Sequence, residues 1–309
     1  MSEVQLDISG LLRWEDGLPH PQWDLVRSWV DSRDLDDPGA VWTTACRAWL
    51  VELTEALGEA YDFGESEHFQ MLASGPAAES GTMLAFAERC RANLLSGLDN
   101  VVHFQAPGKE VIIALGTAED YHRYIAPHYP DGEHSRSSGL HIRSGYPHMV
   151  LLGRELHGLE STLAHELTHA GLHHLSMPQW IEEGLAQVFG HAATGRSPLQ
   201  LDRKTAEEHY QYWGANGLDE FWRGEGFHRT GEVCKLSYQL AEILIRVLIE
   251  DARPRWFGLV KKQQRRFRAF LRNASDVDCG QASCRFHMGY GIDELAGQFL
   301  GPGDWTPSL

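Results

Sequence analysis

Near the middle of the 309-residue chain stands the stretch Leu163-Ala164-His165-Glu166-Leu167-Thr168-His169-Ala170. The sequence around it is an uninterrupted helical pattern. Residues four apart on a helix lie on one face, about one turn from each other. The imidazoles of His165 and His169 can therefore point at one metal ion. Glu166 lies at the edge of the same face, close to that ion but not directed straight at it.

These three side chains are typical of a hydrolytic zinc site. Zinc binds neutral imidazole nitrogens, and a catalytic zinc site keeps one coordination position for water. A glutamate beside the ion suits the role of general base for that water. The alternative interpretation is an accidental solvent-exposed helix face. The wider pattern favours the metal site, because one face of the helix collects the polar residues Thr162, His165, Glu166, His169 and His173.

A third ligand is expected from a second helix that the sequence predicts to begin near Ser176. Ser176 and Gln179 have the spacing of a capping box, and Pro178 would then lie in the first helical turn. The segment continues as Trp180-Ile181-Glu182-Glu183-Gly184-Leu185-Ala186. A carboxylate from this run could complete a three-residue metal site.

Taken together, the two segments resemble the gluzincins, in particular the peptidase MA-like group. The resemblance rests on His-Glu-Leu-Thr-His followed by Trp-Ile-Glu-Glu-Gly-Leu-Ala. It implies that Glu183, the residue before the glycine, is the third zinc ligand. Glu182 stands where many relatives have Asn and is a second, weaker candidate. The metzincin pattern fails, because Leu172 and Leu175 occupy the positions of its Gly and His.

The same resemblance extends at lower quality from about residue 68 to residue 300. It implies a zincin-like catalytic domain with a small antiparallel or mixed sheet, zinc as cofactor, and hydrolysis of peptide bonds with Glu166 as general base. Relatives often have a Tyr or His near the next long helix that donates a hydrogen bond to the tetrahedral oxyanion. Tyr238 is the residue expected in that role, and His228 is the alternative.

Periodic apolar positions predict an α+β organisation. A small helical domain is expected over residues 1–62, where Trp42 to Leu57 show helical spacing, and the catalytic domain is expected over residues 63–309. Strands that precede helices without regular alternation favour α+β. By the resemblance, the strand at 148–152 should form the sheet edge beside the metal, where an extended substrate would bind. The predicted strands are 68–73, 111–115, 141–143 and 148–152, and the main predicted helices are about 118–125, 156–175 and 232–250. The stretch 132–139 is interpreted as a polar loop.

The bulk composition limits the partners of the chain. Its net charge of -16, from 43 acidic and 27 basic residues, disfavours nucleic acid and anionic membranes. The sequence has neither a secretory signal pattern at MSEVQLDISG nor an apolar run approaching the ~18 residues of a membrane helix. The five scattered cysteines are expected to be reduced thiols. These features predict a cytoplasmic enzyme that acts on a peptide or protein substrate.

Other interpretations stay open from the residues alone. The fold could serve as a binding or regulatory module, although such a module has no need of a base at Glu166. A metal-dependent hydrolase of a non-peptide amide is another alternative. A second metal site at Cys279, Cys284 and His287 is disfavoured, because a fourth ligand is missing and the spacing matches no usual zinc motif. The basic run at 261–266 is interpreted as a solvated helix face, with contact to an acidic partner as the alternative.

Overall fold

The computed structural model describes residues 6–130, 137–153, 155–195, 199, 202–251 and 260–308. The strands of these residues are β1 (Leu12–Glu15), β2 (Leu18–Pro21), β3 (Tyr61–Glu65), β4 (Phe69–Ser74), β5 (Glu110–Leu115), β6 (Gly139–Ile142) and β7 (His148–Leu152). The helices are α1 (Trp23–Asp31), α2 (Pro38–Leu57), α3 (Ala77–Gly97), α4 (Ala118–Ile125), α5 (Leu156–Leu172), α6 (Gln179–Thr194), α7 (Arg203–Asn216), α8 (Asp219–Trp222), α9 (Glu225–His228), α10 (Glu232–Asp251), α11 (Val260–Asn273), α12 (Gln281–His287) and α13 (Ile292–Leu300). In this part of the chain we find no helix whose length and hydropathy would let it span a bilayer.

The chain folds into two compact units. The first comprises Met1–Asn93 and Phe104–Ala170, and the second comprises Leu94–His103 and Gly171–Leu309. The division falls inside α5, so that this helix contributes residues to both units. The boundary predicted at residue 62 lies within the first unit. The residues before it form the hairpin β1–β2 as well as the helices α1 and α2.

The first unit contains a five-stranded mixed sheet with the order β3-β4-β5-β7-β6. The inner strands β4, β5 and β7 pair in parallel, whereas β3 and β6 pair antiparallel at the two ends. The prediction of an α+β fold with a small mixed sheet is confirmed.

The prediction that residues 148–152 form the sheet edge is wrong. His148 of β7 pairs with Val111 of β5 on one side and with Ile142 of β6 on the other, so β7 is an inner strand. β6 is the outermost strand at this end, and it begins at Gly139, within the stretch 132–139 interpreted as a polar loop. Residues 132–136 of that stretch lie outside the described residues. Both strands were predicted, but their order across the sheet depends on pairing with β5, which is distant in sequence.

Helix α2 supplies much of the core of the first unit. Its start follows local rules, because the Asp37 side chain accepts a hydrogen bond from Ala40 N at 3.0 Å and Pro38 occupies the first turn. Its predicted apolar face is buried together with residues of the hairpin and the sheet. Trp49 lies at the centre of this core, and its Nε1 donates to Pro19 O at 2.9 Å. The apolar residues of this helix face are Trp42, Cys46, Trp49, Leu50 and Leu53.

The second unit is helical, and its core is rich in tryptophan. Trp180 of α6 and Trp222 of α8 are buried edge to face, with ring centroids 5.5 Å apart. Each indole is satisfied by a backbone carbonyl, because Trp180 Nε1 donates to Cys279 O and Trp222 Nε1 donates to Trp305 O. Buried indoles of this kind combine a large apolar area with one directional hydrogen bond, and so fix the helices that carry them.

Candidate metal centre

Helix α5 presents the central motif. Its apolar side is formed by Leu159, Leu163 and Leu167, each at most 4% exposed. Burial of this stripe fixes the rotation of the helix. His165 and Glu166 lie on the more polar side, as the helical spacing predicted. The helix ends at Leu172 rather than at residue 175.

The two histidines of α5 lie in contact. Their Nε2 atoms are 3.1 Å apart, and their ring centroids are 4.8 Å apart with an angle of 72° between the planes. Two nitrogens bound to one tetrahedral zinc at 2.0–2.1 Å would be about 3.3 Å apart. The observed separation of His165 Nε2 and His169 Nε2 is close to that value, so the pair already has the spacing that a shared ion requires.

Glu183 is the third member of the cluster. The ligand atoms of His165, His169 and Glu183 all lie within 4.8 Å of one another. Glu182 does not belong to this group. Two imidazole nitrogens and one carboxylate oxygen are a donor set that suits zinc, so these residues fit the metal that the sequence predicted.

Helix α6, which carries Glu183, begins later than the sequence suggested. The helix starts at Gln179 with Pro178 as its N-cap, and no side chain caps it. The predicted capping box from Ser176 is therefore wrong, because Pro178 occupies the cap position itself.

Helix α6 packs closely against α10 at Gly184, where a β-carbon would lie 2.5 Å from Ala241 O of α10. Glycine thus lets α6 approach α10 closely, immediately beside Glu183.

Glu166 is buried, with 6% of its surface exposed. Two residues of the first unit lie beside it. A β-carbon on Gly139 of β6 would stand 2.9 Å from Glu166 Oε1. On α4, burial raises the pKa of Tyr121, and the charge of Glu166 raises it further. Neither Gly139 nor Tyr121 was predicted as a neighbour of Glu166, because the approach of β6 and α4 to α5 leaves no local sequence pattern.

The two residues expected to support an oxyanion, Tyr238 and His228, differ in how far they are exposed to solvent. Tyr238 of α10 is half-buried, and its ring packs edge to face on Phe227 with centroids 5.1 Å apart. His228 is exposed, and its Nε2 lies 3.2 Å from Gln179 Oε1. Cys234, one turn before Tyr238 on α10, lies near Glu183, the expected third metal ligand. Burial raises the pKa of its thiol, and the carboxylate of Glu183 raises it further.

The other candidate site does not come together in the described residues. Cys279 and Cys284 are buried, whereas His287 contacts the exposed ring of Phe286. These residues form no cluster comparable to that of His165, His169 and Glu183 within the described part of the chain. The basic run belongs to α11, where Lys262 and Arg265 are exposed, as a solvated helix face requires.

We compared the chain with protein-family models and with curated proteins, and neither comparison gave a match. The functional interpretation therefore rests on the residues of the site.

Proposed function

We propose that the protein is a zinc-dependent metallopeptidase of the gluzincin type, with a zincin-like catalytic domain. The observation that carries this proposal is the clustering of His165, His169 and Glu183 with Glu166 adjacent in the same helix. The cluster unites the ligand types expected from two separate sequence segments. A chance helix face would not bring a carboxylate from α6 to within 4.8 Å of both imidazoles.

Each residue has a defined role in the proposed reaction. His165, His169 and Glu183 hold the ion, which supplies Lewis acidity that polarises a carbonyl group and makes water more acidic. Glu166 accepts the proton of the attacking water and delivers it to the leaving amine. Tyr238, or alternatively His228, donates a hydrogen bond to the developing oxyanion.

The sheet suggests how a peptide would be oriented. β6 is the end strand of the sheet, and Gly139 at its start lies against Glu166. An extended peptide that adds to this strand would be bound mainly through its backbone. Its scissile bond would then lie near the carboxylate of Glu166. In the proposal, β6 therefore takes the place that the sequence analysis gave to residues 148–152.

Three further expectations belong to this proposal. The substrate is a peptide or protein, nucleic acid and membranes are not partners, and the enzyme works in the cytoplasm. The net charge of -16 supports the second expectation, because polyanions would be repelled. The binding module and the non-peptide amidase remain the rival functions.

A peptide library separates these functions. Metal-free protein, protein with zinc restored, and the His169→Ala variant would each be incubated with proteome-derived peptides and with a panel of small amides. The proposal expects new peptide termini, read by mass spectrometry, with the zinc-restored wild type alone. Cleavage confined to the small amides would establish the amidase, and zinc binding without any cleavage would favour the binding module.

A further inference from the structure

Residue 139 lies at the start of the end strand β6, where the strand passes α5. We propose that Gly139 is a positioning residue for Glu166: its missing side chain leaves the space that the Glu166 carboxylate occupies. This inference rests on the proposed function, because it gives the site a residue that places its general base.

The distances show how little room there is. A β-carbon at position 139 would lie 2.9 Å from Glu166 Oε1 and 3.1 Å from Glu166 Cγ. It would also lie 2.4 Å from Thr162 Cγ2, one turn earlier on the same helix. Carbon contacts are most favourable at about 3.5–4.0 Å, so any residue with a side chain would push against both neighbours.

The strand cannot easily move away to relieve this contact. Gly139 pairs with Leu151 of β7, and β7 is itself held by β5. The Ser137 hydroxyl donates a hydrogen bond to Gly139 O, which ties the start of the strand to its own backbone. All four residues of β6 are buried. The side chains of α5 would therefore have to give way.

Thr162 and Glu166 would respond differently. Thr162 is branched at its β-carbon and has few rotamers, so it cannot easily turn away from a β-carbon at position 139, and this clash would lower the stability of the fold. The Glu166 carboxylate ends a longer, flexible side chain and can swing aside at small cost. Once the clash with Thr162 is relieved, an alanine at 139 would leave the protein folded but displace the Glu166 carboxylate. A displacement of about 1 Å at a reacting group can lower a rate about 10²-fold.

The test compares Gly139→Ala with the double variant Gly139→Ala/Thr162→Ser. The second substitution deletes Cγ2 and so removes the clash that threatens folding, while the clash with Glu166 stays. Gly158→Ala is the matched control, because Gly158 lies on α5 and a β-carbon there meets nothing within 4 Å. Crystal structures of the zinc-loaded proteins give the position of the Glu166 carboxyl, and chelator competition gives zinc affinity.

We expect the carboxyl of Glu166 to move by about 0.5 Å or more in the double variant, the distance needed to restore normal contact. Zinc affinity should stay within about twofold of wild type, because the three ligands are untouched. Where a cleaved peptide is known, the rate should fall about tenfold or more. The control should match wild type in every measurement.

An unmoved Glu166 carboxyl in the double variant would overturn the inference, whatever its effect on activity. Failure of the proposed function has a different signature, since it would show as wild-type protein that binds zinc but cleaves no peptide. The crystallographic comparison still decides the role of Gly139 in that case, because it needs no substrate.

Discussion

His165 Nε2 and His169 Nε2 lie 3.1 Å apart on successive turns of α5. Two nitrogens that share one tetrahedral zinc lie about 3.3 Å apart, so the pair has nearly the spacing of two ligands of one ion. Each histidine would give such an ion a neutral imidazole nitrogen.

The first prediction concerns that pair. His169→Ala should lose nearly all bound zinc after dialysis, because two protein ligands rarely hold a catalytic zinc well. Zinc would be measured by elemental analysis. His173→Ala is the matched control, since His173 lies four residues further along but outside the cluster. Retention of zinc by the His169 variant would remove this residue from the ligand set.

The third ligand gives the second prediction. Glu183→Ala should weaken zinc binding by roughly a hundredfold or more, because loss of a residue that only orients a ligand already lowers metal affinity by about 10–100-fold. Glu182→Ala should leave affinity nearly unchanged, since Glu182 is not part of the cluster. Chelator competition measures both. The reverse order of effects would assign the ligand to Glu182 while preserving the metal site.

A third prediction arises from a histidine cluster in the first unit. His20, His128 and His148 are in ring contact, with centroids 5.7 Å apart for His20–His128 and for His128–His148. Tyr124 joins them through its hydroxyl, which lies 2.7 Å from His148 Nε2. Burial lowers the pKa of His148 to about 3 and of His128 to about 4, and it also lowers the pKa of His20.

These histidines are uncharged in the folded protein, while their ordinary pKa is 6.5. Below pH 6.5 the unfolded chain therefore binds more protons. The stability from the neutral cluster is complete above pH 6.5 and is lost progressively as the pH falls toward 4 and 3.

Urea unfolding of His148→Gln between pH 6.5 and 5 measures this effect. The slope of unfolding free energy against pH should fall by about 1 kcal/mol per pH unit relative to wild type over this range, and should approach the one-proton limit of about 1.4 kcal/mol per unit near pH 5. The exposed His122→Gln variant is the control for loss of a histidine from the surface. Equal slopes for wild type and the His148 variant would show that His148 is not a buried neutral base.

Local patterns predicted the parts of the protein that local rules control. The helical face of α2 and the alignment of His165 with His169 were predicted from the sequence. The hairpin β1–β2 was missed, although Asp16-Gly17 at its turn is a strong signal. Both residues have positive φ, 48° and 76°, as a two-residue hairpin turn requires.

Long-range pairing accounts for what the sequence did not reveal. Whether β6 or β7 is the end strand depends on pairing with β5, and Gly139 approaches Glu166 only once that sheet has formed. Neither relationship has a period or a spacing in the sequence. Glu183 was predicted because its motif resembles that of a known family, not because any local rule places it beside α5.

The Glu166→Gln variant, assayed for bound zinc and for cleavage of the best library peptide, tests whether Glu166 is the general base. Glutamine keeps the shape and a hydrogen-bonding group but cannot accept the proton. We expect one zinc per chain, as in wild type, and a cleavage rate lower by about 10²–10⁴-fold. A variant that binds zinc and cleaves that peptide as fast as wild type would contradict this role of Glu166.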